Sequence, residues 1–367
     1  MTSPLGIAFT RYFTEYIAKD ELGGLVFVFS RIVKILVQIA LVVFLLCLVI
    51  SSWVANFIKT KTIYMAICGV TVSFTILLWP LPSLAEGFQK FKINSYAFFA
   101  ASFGKLIIGG VLIYLKWGIV GGLIGYLTAH SLSILVPFLF LRRFLDTEVD
   151  VANKENKKST IISLRPIFMY CFPAFMAMLS FGLLTNVDVI FMKHFFSSLQ
   201  AYDYGIAQTM GRVVLVASGT LVTVIFPKAT DAFIQNRSPL KILHKALCLT
   251  GCGCLLLILI CFQFSDSIAE IIAGSPNQLS NALIPLFSLA MSFYALLSVT
   301  VSFALATHNL TFLKPLFILA ICETLSIYWY HPTLTAVLYL MLIFSVISFA
   351  TSSVIISSRR NSRLATV

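Results

Sequence analysis

Six charged or amide side chains stand where the chain is otherwise apolar: Lys105, Asn186, Asp188, Gln208, Arg212 and Glu323. Polar groups at membrane depth are costly, so they turn toward a bundle interior or a water-filled path. Arg212 shares its stretch with Gly205, Gln208, Gly219 and Thr223. Their spacing gathers a small, polar face on one side of a helix. A guanidinium is always charged and makes forked contacts to phosphate or carboxylate oxygens. Two readings of Arg212 stay open: contact with an anionic headgroup in a cavity, or a structural pair with Asp188 or Asp203. Lys105, with Ser102 and Gly109 on its face, is a second cation at membrane depth. Asp188 closes the run Thr185-Asn186-Val187-Asp188, ahead of Lys193 and His194 near the outer end of its helix. Asp188 and Glu323 are acids that can bind a proton or sodium ion and couple it to transport, or pair with a cation.

Other chemistry is poorly served. His130 and His308 have no second histidine at ligand spacing, and no pair of Cys-x-x-Cys units is present, so no metal is expected. The eight cysteines lie in apolar runs, and Cys248 and Cys252 read as small buried helix residues. A glycine loop with a lysine for nucleotide phosphates is missing, and no Ser–His–Asp set can be assembled. Neither an enzyme nor a cofactor is expected. Glu86, Lys90 and Lys92 read as a solvated helix end.

The elements that position these residues follow from composition. The chain has 367 residues, 59% hydrophobic and 11% charged, with a mean hydropathy of +0.97. Soluble domains run near 45–50% apolar and about 25% charged. Apolar stretches of roughly 20 residues recur, the length a helix needs to cross a bilayer. The fold class is therefore all-α, a polytopic transmembrane protein. About ten spans are read, at 34–58, 63–85, 94–115, 119–141, 166–192, 203–227, 246–263, 281–306, 315–331 and 334–357. Gly6 to Gly24 reads as a helix end entering an interfacial loop. Pro80 and Pro82 fall in the second span, Pro137 in the fourth, Pro173 in the fifth and Pro285 in the eighth.

The net charge of +12 resolves into topology. With the N-terminus inside, 20 of the 26 Lys and Arg fall on cytoplasmic segments and four, Lys59, Lys61, Lys116 and Lys193, on the other side. This is the positive-inside pattern, with both ends cytoplasmic; nucleic acid is not a partner. Lys105 and Arg212 are the two left within spans. The polar stretch from Arg142 to Arg165 divides an N-terminal bundle at 1–141, a linker at 142–165 and a C-terminal six-helix bundle at 166–367.

Several motifs are similar to those of a known family. Asn186-Val-Asp188, Phe195-Phe196-Ser197, Tyr204-Gly205-Ile206-Ala207, Gly211-Arg212 and Phe226-Pro227 resemble the second half of Wzx-type polysaccharide flippases. These belong to the multidrug/oligosaccharidyl-lipid/polysaccharide exporter superfamily. Glu86 to Lys90 resembles that family's Glu/Gln-rich loop, and Trp117 to Gly125 its glycine-rich start of a helix. The resemblance implies two bundles around a cavity and alternating access. It implies an undecaprenyl-pyrophosphate-linked oligosaccharide as substrate, for O-antigen or lipopolysaccharide synthesis at the bacterial inner membrane. Arg212 and Lys105 would contact the substrate with Gln208 and Asn186 beside them, and Asp188 or Glu323 would couple an ion. The family has twelve or more helices, so two N-terminal helices are expected to be absent from this chain. Two alternatives stand beside the flippase: a multidrug/cation antiporter of the same superfamily, and a membrane-embedded polymerase or glycosyltransferase. The antiporter needs acids to dominate the cavity, and the enzyme needs a large catalytic loop.

Overall fold

A computed structural model describes residues 22–154, 165–234, 240–273, 278–307 and 309–364, with Gly6, Phe9, Thr10, Phe13, Thr14, Tyr16 and Ile17. Arg11, Lys19, Lys157, Lys158 and Arg237 of the charge pattern, and residues 155–164 of the linker, lie outside these. The regular structure among the described residues is helical, and it groups into two units, residues 2–171 and 172–367.

The first unit holds α1 (Leu22–Phe57), α2 (Thr62–Leu77), α3 (Pro80–Gly87), α4 (Phe91–Leu112) and α5 (Gly118–Lys154). The helix α5 thus runs through Arg142 into the segment read as linker. Its break from α4 is a π-helical turn, Ile113–Trp117, in which Lys116 has φ 65°, followed by Gly118 at φ 53°. Glycine takes that conformation freely, while a lysine there is strained. A Cβ on Gly125 would sit 2.8 Å from Gly109 Cα and 3.0 Å from the Lys105 carbonyl oxygen. The two helices therefore pack backbone to backbone, as small residues allow in membranes.

One expectation is refined and one corrected in this unit. Pro80 and Pro82 do lie in the second apolar stretch, Thr62–Gly87, but at an interruption of its helix rather than inside one helix. Helix α2 stops at Leu77, and Pro80 opens α3, where its missing N–H costs no helical bond. The segment from Gly6 is also not an interfacial loop at its described positions. Phe9 and Phe13 are helical and buried with Leu25, Phe29, Leu84 and Leu141. Thr10 Oγ1 donates to Glu86 Oε2 at 2.9 Å, and Asn94 Nδ2 donates to Glu86 Oε1 at 3.1 Å. Glu86 is thus a tie between this segment, α3 and α4, and not part of a solvated end.

The second unit contains most of α6 (Arg165–Phe195), then α7 (Ser198–Ile234), α8 (Leu240–Gln263), α9 (Ser265–Ala273), α10 (Gln278–Ala306), α11 (Leu313–Trp329) and α12 (Leu334–Leu364). Helix α10 is its centre and packs against α7, α8 and α12. Of its apolar window 67% is buried, against 22% for α8. Close packing on α10 follows from small partners: a Cβ on Gly211 of α7 would meet Phe287 and Met291. Near the C-terminus of α6, Phe195 stacks on His331 at a centroid distance of 3.8 Å, with Tyr328 of α11 beside it. Cys248 and Cys252 are exposed on α8, contrary to the expected burial; the buried cysteines of that helix are Cys254 and Cys261.

Among the described residues seven stretches are long and apolar enough to cross a membrane. The ten spans of the sequence reading divide one of them, Phe91–Arg142, into two and add α7 and α11. With 17 residues, α11 is about 26 Å long, slightly under a typical hydrocarbon core of about 30 Å.

Candidate functional site

Among its described residues the second unit buries three carboxyl groups, Asp188, Asp203 and Glu323, and two of them are wholly enclosed. Asp188 on α6 and Glu323 on α11 are both 0% exposed. Each accepts a hydrogen bond from a phenol. Tyr204 of α7 donates its hydroxyl to Asp188 Oδ2 at 2.7 Å. Tyr294 of α10 donates to Glu323, 2.9 Å from both Oε1 and Oε2. The two pairs meet at Met341 of α12. Its sulfur lies 3.2 Å from the Tyr204 hydroxyl, and its carbonyl oxygen 3.4 Å from the Tyr294 hydroxyl. Tyr204, Tyr294 and Met341 are fully buried too.

Aromatic packing fixes both phenols. The Tyr204 ring meets Phe287 edge-on at 5.3 Å, and Tyr294 meets Phe181 edge-on at 6.5 Å. Each tyrosine thus places an apolar ring in the core and spends its one polar group on a carboxyl. Asp188 Oδ1 has no hydrogen-bond partner, and Gln208 Nε2 and Ser288 Oγ are likewise buried and unpartnered. A buried carboxylate is costly unless it is fully paired, and for Asp188 the Tyr204 hydrogen bond and the charge of Arg212 leave Oδ1 without a hydrogen bond. A proton or small cation relieves that cost, and its departure restores it. A group of this kind is suited to take up an ion in one conformation and release it in another.

The remaining sequence candidates fall in different settings. Arg212 is exposed on the surface of its unit, and its Nη2 donates to Asn186 Oδ1 at 2.8 Å. Its hydrogen bond goes to an amide, while its charge also acts on Asp188, one of the carboxylates the sequence left open as a partner. Asn186 is exposed and bonds onward through Nδ2 to Thr185 Oγ1 and the Gly182 carbonyl, both at 2.9 Å. Gln208, placed on the same face by spacing, is buried. The surroundings of Gly219 and Thr223 lie outside what is described. Asp188 is held by Tyr204 and buried in the bundle, at the place near the outer end of α6 expected from the sequence. Lys105 belongs to the first unit; its Nζ lies 4.0 Å above the Tyr126 ring on an exposed face. A cation–π contact supplies the partner the sequence demanded.

Sequence reasoning missed Tyr204, Tyr294 and Met341. Two of them carried a signal: a tyrosine in the middle of an apolar span needs a partner for its hydroxyl. Methionine carried none.

No protein-family model matches the sequence, and no curated protein matches it. Solved structures do share its fold. An inward-facing multidrug resistance MATE family transporter of the MOP superfamily is 14% identical at a TM-score of 0.72, covering 98% of this chain and 87% of that one. The Vibrio cholerae MATE transporter VcmN in its bent form is 15% identical at 0.65, covering 98% and 84%. A MATE structure in complex with MaL6 is 12% identical at 0.68, covering 99% and 85%. The chain has the all-helical fold of these transporters, and none of the three is described as an enzyme.

Proposed function

We propose that the chain is a secondary transporter working by alternating access, with Asp188 and Glu323 taking up the driving proton or cation. The observation that carries this reading is the buried pair of carboxyl–phenol contacts around Met341. Small organic cations, as in multidrug antiport, are the substrate class this reading favours. The solved neighbours named as multidrug transporters support that choice, as does the placing of acids and not bases in the core of the second unit. The reading includes bundles at 1–141 and 166–367, a bacterial inner-membrane location and both termini in the cytoplasm.

A second reading rests on Arg212. Its exposed guanidinium spends one hydrogen bond on Asn186 and has other donors for a phosphate. This favours a lipid-linked oligosaccharide as cargo, with Lys105 as a further contact. Reconstituted vesicles separate the two readings. An imposed proton or sodium gradient should drive a fluorescent organic cation in wild type and fail to do so in Asp188→Asn and Glu323→Gln. Gradient-independent movement in all three would overturn ion coupling. Rescue of a flippase-deficient strain by wild type, but not by Arg212→Ala, would select the second cargo.

A further inference from the structure

The nine-residue helix α9, between α8 and α10, plays no part in the transport site. Its faces are sharply sorted. Ala269 is fully buried against the unit, while Asp266, Ser267 and Glu270 are exposed on a polar side. Asn281 Nδ2 of α10 donates to Asp266 Oδ1, which fixes how the helix is rotated. The third side is apolar and uncovered: Ile271 is 82% exposed, and Ile272 and Ile268 flank it. On an α-helix these positions make a stripe beside the buried face and away from the acids.

That stripe continues the lipid-facing surface of α8. Phe262 and Phe264, at the end of α8 and the start of α9, are exposed. Below them lies a groove of about 460 Å³ lined by Cys252, Leu255, Leu256, Leu259, Ile260 and Phe264. Every lining residue except Cys252 is an aliphatic or aromatic hydrocarbon. The sequence from 246 to 313 contains no Lys or Arg, so this end of the hairpin belongs to the cation-poor side of the membrane. Attraction to anionic headgroups therefore has no source on α9, and apolar contact alone must hold it.

We infer that α9 is an interfacial anchor: it lies along the headgroup layer of the cation-poor leaflet, Ile268, Ile271 and Ile272 reach the acyl-chain boundary, and the groove on α8 receives a phospholipid acyl chain. A helix with one polar and one apolar flank, lying parallel to the membrane, is stable in that layer and nowhere else in a bilayer. The lipid is the occupant because the apolar stripe runs without interruption into a face already read as membrane-embedded.

The photoreactive residue p-benzoylphenylalanine, placed singly at Ile271, Glu270 or Leu256 of the full chain, tests this. The variants are reconstituted into phosphatidylethanolamine–phosphatidylglycerol vesicles, illuminated and weighed intact. Positions 271 and 256 should gain a phospholipid mass, exceeding that at 270 by about fivefold or more. Equal lipid labelling at 270 and 271 would show that α9 has no oriented lipid face and would overturn the proposal. So would a cross-linked dimer as the main product at 271, or no lipid adduct there. A monodisperse elution peak checks folding, and Ile272 replaces Ile271 should the first variant fail it.

Discussion

At the residue scale two buried carboxyl groups each accept a hydrogen bond from a buried phenol. Removing the Tyr294 hydroxyl leaves both Glu323 oxygens without that donor. An unsatisfied buried polar group costs about 1–3 kcal/mol, so Tyr294→Phe should lower the thermal midpoint in detergent. Glu323→Gln should lower it too, and the double substitution should cost less than the sum, because both act on one contact. Strict additivity would mean that the phenol and the carboxyl do not act together. Function separates from stability at the other pair. Asp188→Asn keeps the shape and can still accept from Tyr204, but it cannot exchange a proton or balance a cation. Gradient-driven uptake should therefore fall by about tenfold or more while equilibrium substrate binding changes far less. Parallel loss of uptake and binding would make Asp188 a substrate contact and not a coupling group.

At the element scale the sharpest prediction concerns the glycines of α4 and α5. A Cβ at Gly125 would meet backbone atoms, which cannot rotate aside, whereas a Cβ at Gly110 meets nothing within 4 Å. Gly125→Ala should destabilise by about 1–3 kcal/mol through overpacking. Gly110→Ala should be neutral or slightly stabilising, since alanine favours helix. Thermal unfolding of the two variants checks the contrast, and equal midpoints would refute the close α4–α5 approach. The helices themselves were legible in the sequence because lipid leaves the backbone no alternative to internal hydrogen bonding. Their interruptions were legible only in part. Pro80 and Pro82 were visible, yet whether a proline kinks a helix or opens a new one depends on the bonds its neighbours make. Helix α9 was hidden because nine residues, with two acids among them, raise no hydropathy signal. The carboxyl–phenol cluster was half legible for a related reason. Ionisable residues stand out in an apolar run, but which phenol each one meets depends on helix rotation, which one sequence does not encode by spacing alone.

At the scale of the whole molecule, charge carries the argument. Under the positive-inside rule the 20:4 distribution of Lys and Arg predicts a side for every connection, a prediction that the fold alone does not make. The α4–α5 turn holds Lys116, and the end of α6 holds Lys193; both belong to the cation-poor side. Alkaline phosphatase, active only outside the cytoplasm, should therefore be active when fused after Trp117 or after Ser197. It should be inactive when fused after Arg142 or after Lys245, and green fluorescent protein should give the reverse pattern. The same alternation puts the acids of α9 on the phosphatase-active side. If the carboxyl cluster takes up the driving ion as proposed, the alternation also sets the side from which that ion is loaded, since Asp188 lies about 10 Å along α6 from Phe195, at 1.5 Å per residue. A proton or cation arriving from the cation-poor side thus meets Asp188 after crossing only the outer third of the bundle. Under the inverted topology the ion would instead have to cross most of the membrane before reaching either carboxyl. Phosphatase activity at 142 or 245, with none at 117 or 197, would invert the chain and with it the side from which Asp188 is loaded.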